Sequence, residues 1–150
     1  MIARISTELD APAREVWALL KRKQTFLYVT RGVMGVPAAK AWPEEHREGL
    51  KVRGRIWFFH AIPGWRHEIR VVSVDKERRE IRTRERGGFV EVWNHLLKVE
   101  ALSEESSLYT DEVEIEAGML TPVVWAVAHL FYRYRQARWR SLAKVIFSRG

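Results

Sequence analysis

Two stretches of alternating side chains place groups with acid–base capacity opposite one another. In residues 90–101, with Phe89 leading in, alternation puts Phe89, Glu91, Trp93, His95, Leu97 and Val99 on one face. In residues 108–116, Tyr109, Asp111, Val113 and Ile115 share a face. Adjacent strands would bring His95 within reach of Asp111, with Trp93 and Tyr109 beside them. A histidine held by a carboxylate can orient a general base or hold a polar ligand atom. It can also be a buried polar pair that fixes strand register. Catalysis would need a further group, an oxyanion donor or a nucleophile, around one reacting atom. Trp93 and Tyr109 suit stacking and one hydrogen bond instead. No residue is therefore assigned a catalytic role, and the pair is read as a binding or structural feature.

A second signal lies near the C-terminus. No Asp or Glu follows Glu116, while Arg133, Arg135, Arg138, Arg140, Lys144 and Arg149 all do. The net charge is +7, and the preceding residues are close to balance, so the excess sits in this one segment. An anionic partner is one reading and a solvated helix face is the other. At 100° per residue, Val123, Val127, Leu130, Phe131, Tyr134, Leu142 and Val145 form one broad apolar face that includes Arg135 and Arg138. Arg133, Arg140 and Lys144 fall opposite, with Gln136 nearby. An arginine aimed at a sheet must be paired. The expected partner for Arg135 or Arg138 is a carboxylate such as Asp111, Glu91 or Glu85.

Several chemistries are excluded. With no cysteine there is no disulfide, no thiolate nucleophile and no cysteine-based zinc site. The five histidines lack HxxxH or HxH spacing, so no metal ligand set is assigned. There is no GxSxG, P-loop or GxGxxG, and no cofactor is implied. The 17 aromatics lack the signature of an RNA-stacking strand, which argues against nucleic acid. A length of 150 residues fits one domain spanning 1–150, large enough for a core or an internal cavity. No signal-peptide pattern opens the chain, and its longest charge-free run, residues 117–132, is too short to span a bilayer. A soluble, cytoplasmic protein is expected, with transient contact with a membrane surface left open.

The elements that must position these groups read in order. Residues 2–9 form a strand. Asp10 can cap a helix that has Pro12 in its first turn, and a second short helix covers 23–29. Gly32, Gly35 and Pro37 mark a loop. Strands follow over 51–58, 67–74, 81–86, 90–101 and 108–116, separated by Ile62-Pro63-Gly64, Asp75–Arg78, Gly87-Gly88 and Ser103–Ser106. Short connections mean an antiparallel meander. Gly118 ends the sheet, Thr121-Pro122 opens a helix, and that helix runs to about Phe147.

This order resembles the helix-grip architecture of the START/birch-allergen (SRPBCC) superfamily, in its polyketide cyclase/dehydrase-like branch. Gly88-Phe89-x-x-x-Trp93-x-His95 is similar to the Gly-x-Phe/Trp-x-His strand of that branch. Leu108-Tyr109-Thr110-Asp111-Glu112-Val113 resembles its next strand, and Phe131-Tyr132-x-x-Arg135-Gln136-x-Arg138-Trp139 the arginine-rich end of its last helix. The Pro/Trp pair common after the first helix is replaced here by Phe26-Leu27-Tyr28. The resemblance implies an α+β fold with a curved antiparallel sheet of six to seven strands wrapped around the long C-terminal helix. Two short helices follow the first strand. It also implies a cavity for a small hydrophobic molecule, of lipid, quinone or polyketide-like kind. The expected lining includes Phe58, His67, Ile69, Trp93, His95, Tyr109, Leu130 and Tyr134, with Asp111, Arg135 and Arg138 as polar contacts. The alternatives are a cyclase/dehydratase using His95 and Asp111, or a protein- or RNA-interaction module using the basic helix.

Overall fold

Period-two alternation becomes a sheet because each strand has one face to bury and one to wet. The computed structural model describes residues 1–147. Its seven strands are β1 (Ile2–Leu9), β2 (Met34–Gly35), β3 (Lys51–Phe58), β4 (Ile62–Asp75), β5 (Glu80–Gly87), β6 (Val90–Ala101) and β7 (Ser107–Glu116). They form one antiparallel sheet in the order β1-β7-β6-β5-β4-β3-β2. The last six are a meander, and β1 pairs with the final strand. Helices α1 (Ala13–Leu20) and α2 (Lys23–Thr30) follow β1, and α3 (Thr121–Phe147) follows the sheet. The sheet curls into a half-barrel around α3, which is the helix-grip fold.

Three local expectations are corrected. Asp10 does not cap α1. The helix starts after Pro12, whose carbonyl accepts from the amides of Glu15 and Val16, and no side chain caps it. The β3–β4 turn is not Ile62-Pro63-Gly64 but Phe59–Ala61, with Phe59 and His60 in the left-handed region at φ 53° and 59°. The Phe59 amide donates to Val33 O at 2.7 Å, which holds the turn against the loop after α2. Pro63 is tolerated inside β4 because β5 joins β4 only from His67 onward, so Pro63 faces a single neighbour strand. The loop around Gly35 contains the short strand β2.

The largest correction concerns α3. Its buried stripe is Ala128, Tyr132, Arg135, Gln136, Trp139 and Ala143. Val123, Val127, Leu130 and Val145, expected to face the sheet, are exposed, and Gln136, expected on the far side, is buried. The helix lies over the β1–β7 side of the sheet. Trp125 Nε1 donates to Ile2 O at 2.8 Å, Gln136 Nε2 to Ile5 O at 2.6 Å and Arg140 to Thr7 Oγ1 at 2.9 Å. Its other flank is tied to α2, where Arg138 donates twice to Tyr28 O and Tyr134 donates to Arg31 O. Gly32 sits beneath that tie at φ +98°, and a Cβ there would stand 2.6 Å from the Tyr134 hydroxyl.

Packing is therefore uneven. A core of Leu9, Val16, Trp17, Val99, Tyr109 and Trp139 fills the end under α1. Ile5, Val113, Ile115, Ala128 and Tyr132 fill the β1–β7 side under α3. α3 leaves part of the concave face of β3, β4 and β5 uncovered, while the 3₁₀ turn Pro37–Ala41 packs against β3, with Val36 and Ala39 beside Ile56. No helix among the described residues is long and apolar enough to cross a membrane.

Candidate functional site

The uncovered concave face opens into a cavity of about 650 Å³. Alternation supplies its wall: Val52, Ile56 and Phe58 from β3, His67 and Ile69 from β4, Thr83 and Glu85 from β5, Trp93, His95 and Leu97 from β6. The roof comes from α3 through Phe131, Tyr132, Tyr134 and Arg135, with Phe26 and Val29 of α2 beside them. Phe59, Phe89, Val127 and Leu130 line the cavity yet are solvent-exposed, so they form its mouth. Phe58, Trp65 and Phe89 stack edge to face in series at 5.4 and 5.7 Å, giving that side a rigid aromatic rim.

One part of this apolar wall is polar. His67 Nε2 meets Glu85 Oε1 at 2.9 Å, and Thr83 Oγ1 donates to Glu85 Oε2 at 2.9 Å. Trp65 Nε1 donates to His67 Nδ1 at 3.4 Å, which leaves Nε2 as the donor toward Glu85. His95 bridges the two carboxylates, with Nδ1 3.6 Å from Glu85 and Nε2 2.7 Å from Asp111 Oδ1. Tyr109 Oη donates to Asp111 Oδ1 at 2.9 Å, and Gln136 Nε2 to Asp111 Oδ2 at 3.1 Å. The β6–β7 register explains the meeting: Asp111 pairs with Leu97, one step diagonally from His95 on the same face.

Charge is arranged to match. Burial alone would push the Glu85 carboxyl up, but the His67 hydrogen bond and the nearby His95 ring outweigh it and hold it well below its ordinary value. Asp111 is likewise lowered: burial opposes ionisation, and the His95 hydrogen bond and the Arg135 charge overcome it. His95 answers in the other direction, raised by Asp111 and Glu85 against the cost of its own burial. Burial and the Asp111 charge push the Tyr109 hydroxyl well up. Burial, then the Arg135 charge, lowers His46, another cavity residue.

Of the residues expected at the site, Phe58, His67, Ile69, Trp93, His95, Leu130, Tyr134 and Arg135 line the cavity. Tyr109 and Asp111 do not. They lie fully buried behind His95, where the inward faces of β6 and β7 meet α3. Arg138 is also outside. It stacks on the Tyr28 ring at 4.1 Å, because its position on α3 faces α2 rather than the sheet. The expected ion pair from Arg135 or Arg138 to a sheet carboxylate is not formed: Arg138 is satisfied by a carbonyl, and among the described residues Arg135 reaches no carboxylate at pairing distance. Arg149 lies outside the described residues. Sequence reasoning missed Gln136 and Tyr132 as inward groups, and Trp65 and His46 as wall. The first two follow the stripe 128, 132, 135, 136, 139, and an amide at its centre was the available signal.

No family model matches the sequence, and no curated protein does. Solved structures do match. A START superfamily protein from Mycobacterium smegmatis is 11% identical over 97% of this chain and 98% of its own, with a TM-score of 0.72. An aromatase/cyclase from a Streptomyces species is 16% identical over 100% and 98%, with a TM-score of 0.70. Norcoclaurine synthase from Thalictrum flavum, crystallised with dopamine and hydroxybenzaldehyde, is 13% identical over 89% and 85%, with a TM-score of 0.58. At these identities the likeness speaks of architecture, and the chain has a START-like helix-grip fold.

Proposed function

We propose that the protein binds a small, largely apolar molecule in the cavity under α3, of the size of a lipid, quinone or polyketide-like compound. The observation that carries this reading is the cavity itself. About 650 Å³ is bounded by aliphatic and aromatic side chains with a few convergent polar groups, the ordinary make-up of a small-molecule site. A void of that size has no packing reason to persist in an interior that is otherwise filled. Structures of the same fold include one crystallised with small aromatic molecules, which supports the class of ligand.

His95 is placed to hold rather than to catalyse. Both of its ring nitrogens face carboxylates, so neither offers a free lone pair to a substrate proton. The basic-helix reading loses two of its charges: Arg135 is buried under the roof, and Arg138 lies on Tyr28.

The test uses the purified protein. Native mass spectrometry is expected to show a co-purified small molecule, and N-phenyl-1-naphthylamine, a neutral apolar fluorophore, is expected to brighten with saturable 1:1 binding. A protein that carries no adduct and leaves the fluorophore dark does not have this function.

A further inference from the structure

Arg135 is the unusual group in the cavity. Its side chain lines the space, and the residue is only 6% exposed. A guanidinium carries five N–H donors. Among the described residues, none accepts from Arg135 and none forms an ion pair with it, and its Nε is enclosed with no acceptor at all. The flanking rings of Phe131 and Tyr132 lie 5.8 and 5.2 Å from the guanidinium carbon, and their faces attract the charge without accepting its hydrogen bonds.

The nearby carboxylates do not fill the gap. Both Glu85 oxygens are engaged, by His67 and by Thr83 with His95 beyond, and both Asp111 oxygens by His95, Tyr109 and Gln136. They favour the Arg135 charge from a distance without satisfying its donors. A buried cation with open donors is costly unless something completes it.

We propose that the cavity's ligand carries a carboxylate seated on the Arg135 guanidinium, at the polar end of an otherwise apolar body. The fork of N–H groups matches two carboxylate oxygens, whereas a hydroxyl or a single carbonyl would leave most donors unmet. Among the described residues no other lysine or arginine lines the cavity, and the His95 ring already faces two carboxylates. The net charge of +7 favours the approach of an anion. The proposal rests on the cavity reading above and narrows it to an organic acid. A fatty acid and an aryl carboxylic acid share this chemistry.

Displacement of N-phenyl-1-naphthylamine by two matched pairs separates the possibilities: dodecanoate against 1-dodecanol, and 2-naphthoate against 2-naphthalenemethanol, at a pH where the acids are ionised. In at least one pair the acid is expected to bind about tenfold or more tighter than the alcohol, the worth of one charge-assisted hydrogen-bonded pair. The pair that binds identifies the chain-like or aromatic body. In Arg135→Gln that preference is expected to collapse to about twofold or less. Acid and alcohol within about twofold of each other in both wild-type pairs overturns the proposal while leaving the cavity reading intact. A preference that persists in a folded Arg135→Gln also overturns it. Failure of the fluorophore and of all four compounds to bind removes the cavity reading and this proposal together. The wild-type ratio requires no variant, so the test stands even if Arg135→Gln does not fold.

Discussion

Glu68 and Glu85 sit one rung apart on the β4–β5 ladder, where Glu68 pairs with Arg86 and Glu85 with Ile69. They point to opposite faces of the sheet. On the convex face Glu68 is surrounded by full cations: Arg53 at 2.8 Å, Arg86 at 3.6 Å and Lys51 at 3.7 Å. On the concave face Glu85 has, among the described residues, no lysine or arginine at such distances, but two imidazoles and a hydroxyl. The outer carboxylate has more charge around it and the inner one more consequence. Exposed cations are long, hydrated and replaceable by water or salt. The inner partners are fixed by the sheet and shielded from solvent, so losing one strands the others.

The largest effect is expected from Asp111→Ala, which leaves His95, Tyr109 and Gln136 without their shared acceptor. Breaking one side of such a buried set costs about 3–5 kcal/mol. Urea unfolding measures it, and a loss below about 1 kcal/mol would erase the contrast between the faces.

His95→Gln is expected to cost about 1–3 kcal/mol, and the pH dependence carries the information. Folding raises the His95 pKa above its ordinary 6.5. Stability linked to its charge is therefore complete below that value and fades as pH climbs through the raised one. The gap between wild type and His95→Gln is widest near about pH 6 and narrows toward about pH 9. A gap that stays constant across that range would mean His95 is not held as a cation.

Glu68→Gln should have the smallest effect of the three. Its midpoint shift is expected to be slight and to vanish at about 1 M salt, where screening acts within a few ångströms. A large, salt-resistant loss would place the outer cluster on the same footing as the inner one.

The same division governs what could be read from sequence. Strand alternation was legible because each strand has a single wet face: it put His95 beside Asp111 and turned Phe58, His67, Ile69 and Trp93 toward the cavity. The face of α3 was not. The apolar set 123, 127, 131, 134 and 142 lies one residue, about 100°, from the set that meets the sheet, 124, 128, 132, 135 and 143. An amphipathic reading assumes that the helix covers an apolar floor. Here the sheet presents Asp111 and His95, and α3 answers with Gln136 on the carboxylate and Tyr132 over the imidazole, while its aliphatic side chains line a hollow and its mouth. Arg138 was misplaced for the same reason, since α2, not the sheet, is what it faces.

The pairing of β1 with β7 has a temporal consequence. Ser6 and Thr110 share a hydrogen bond across 104 positions of sequence. At ordinary rates of synthesis, about 5–20 residues per second, β1 waits roughly 5–20 seconds for its partner to be made. Throughout that interval Ala3, Ile5 and Leu9, all buried in the finished sheet, have no strand beside them, and the bare edge of β1 is open to any other chain nearby. The last strand of the sheet to emerge is the one that protects β1, so β1 is the strand left unpaired longest while the sheet is being made.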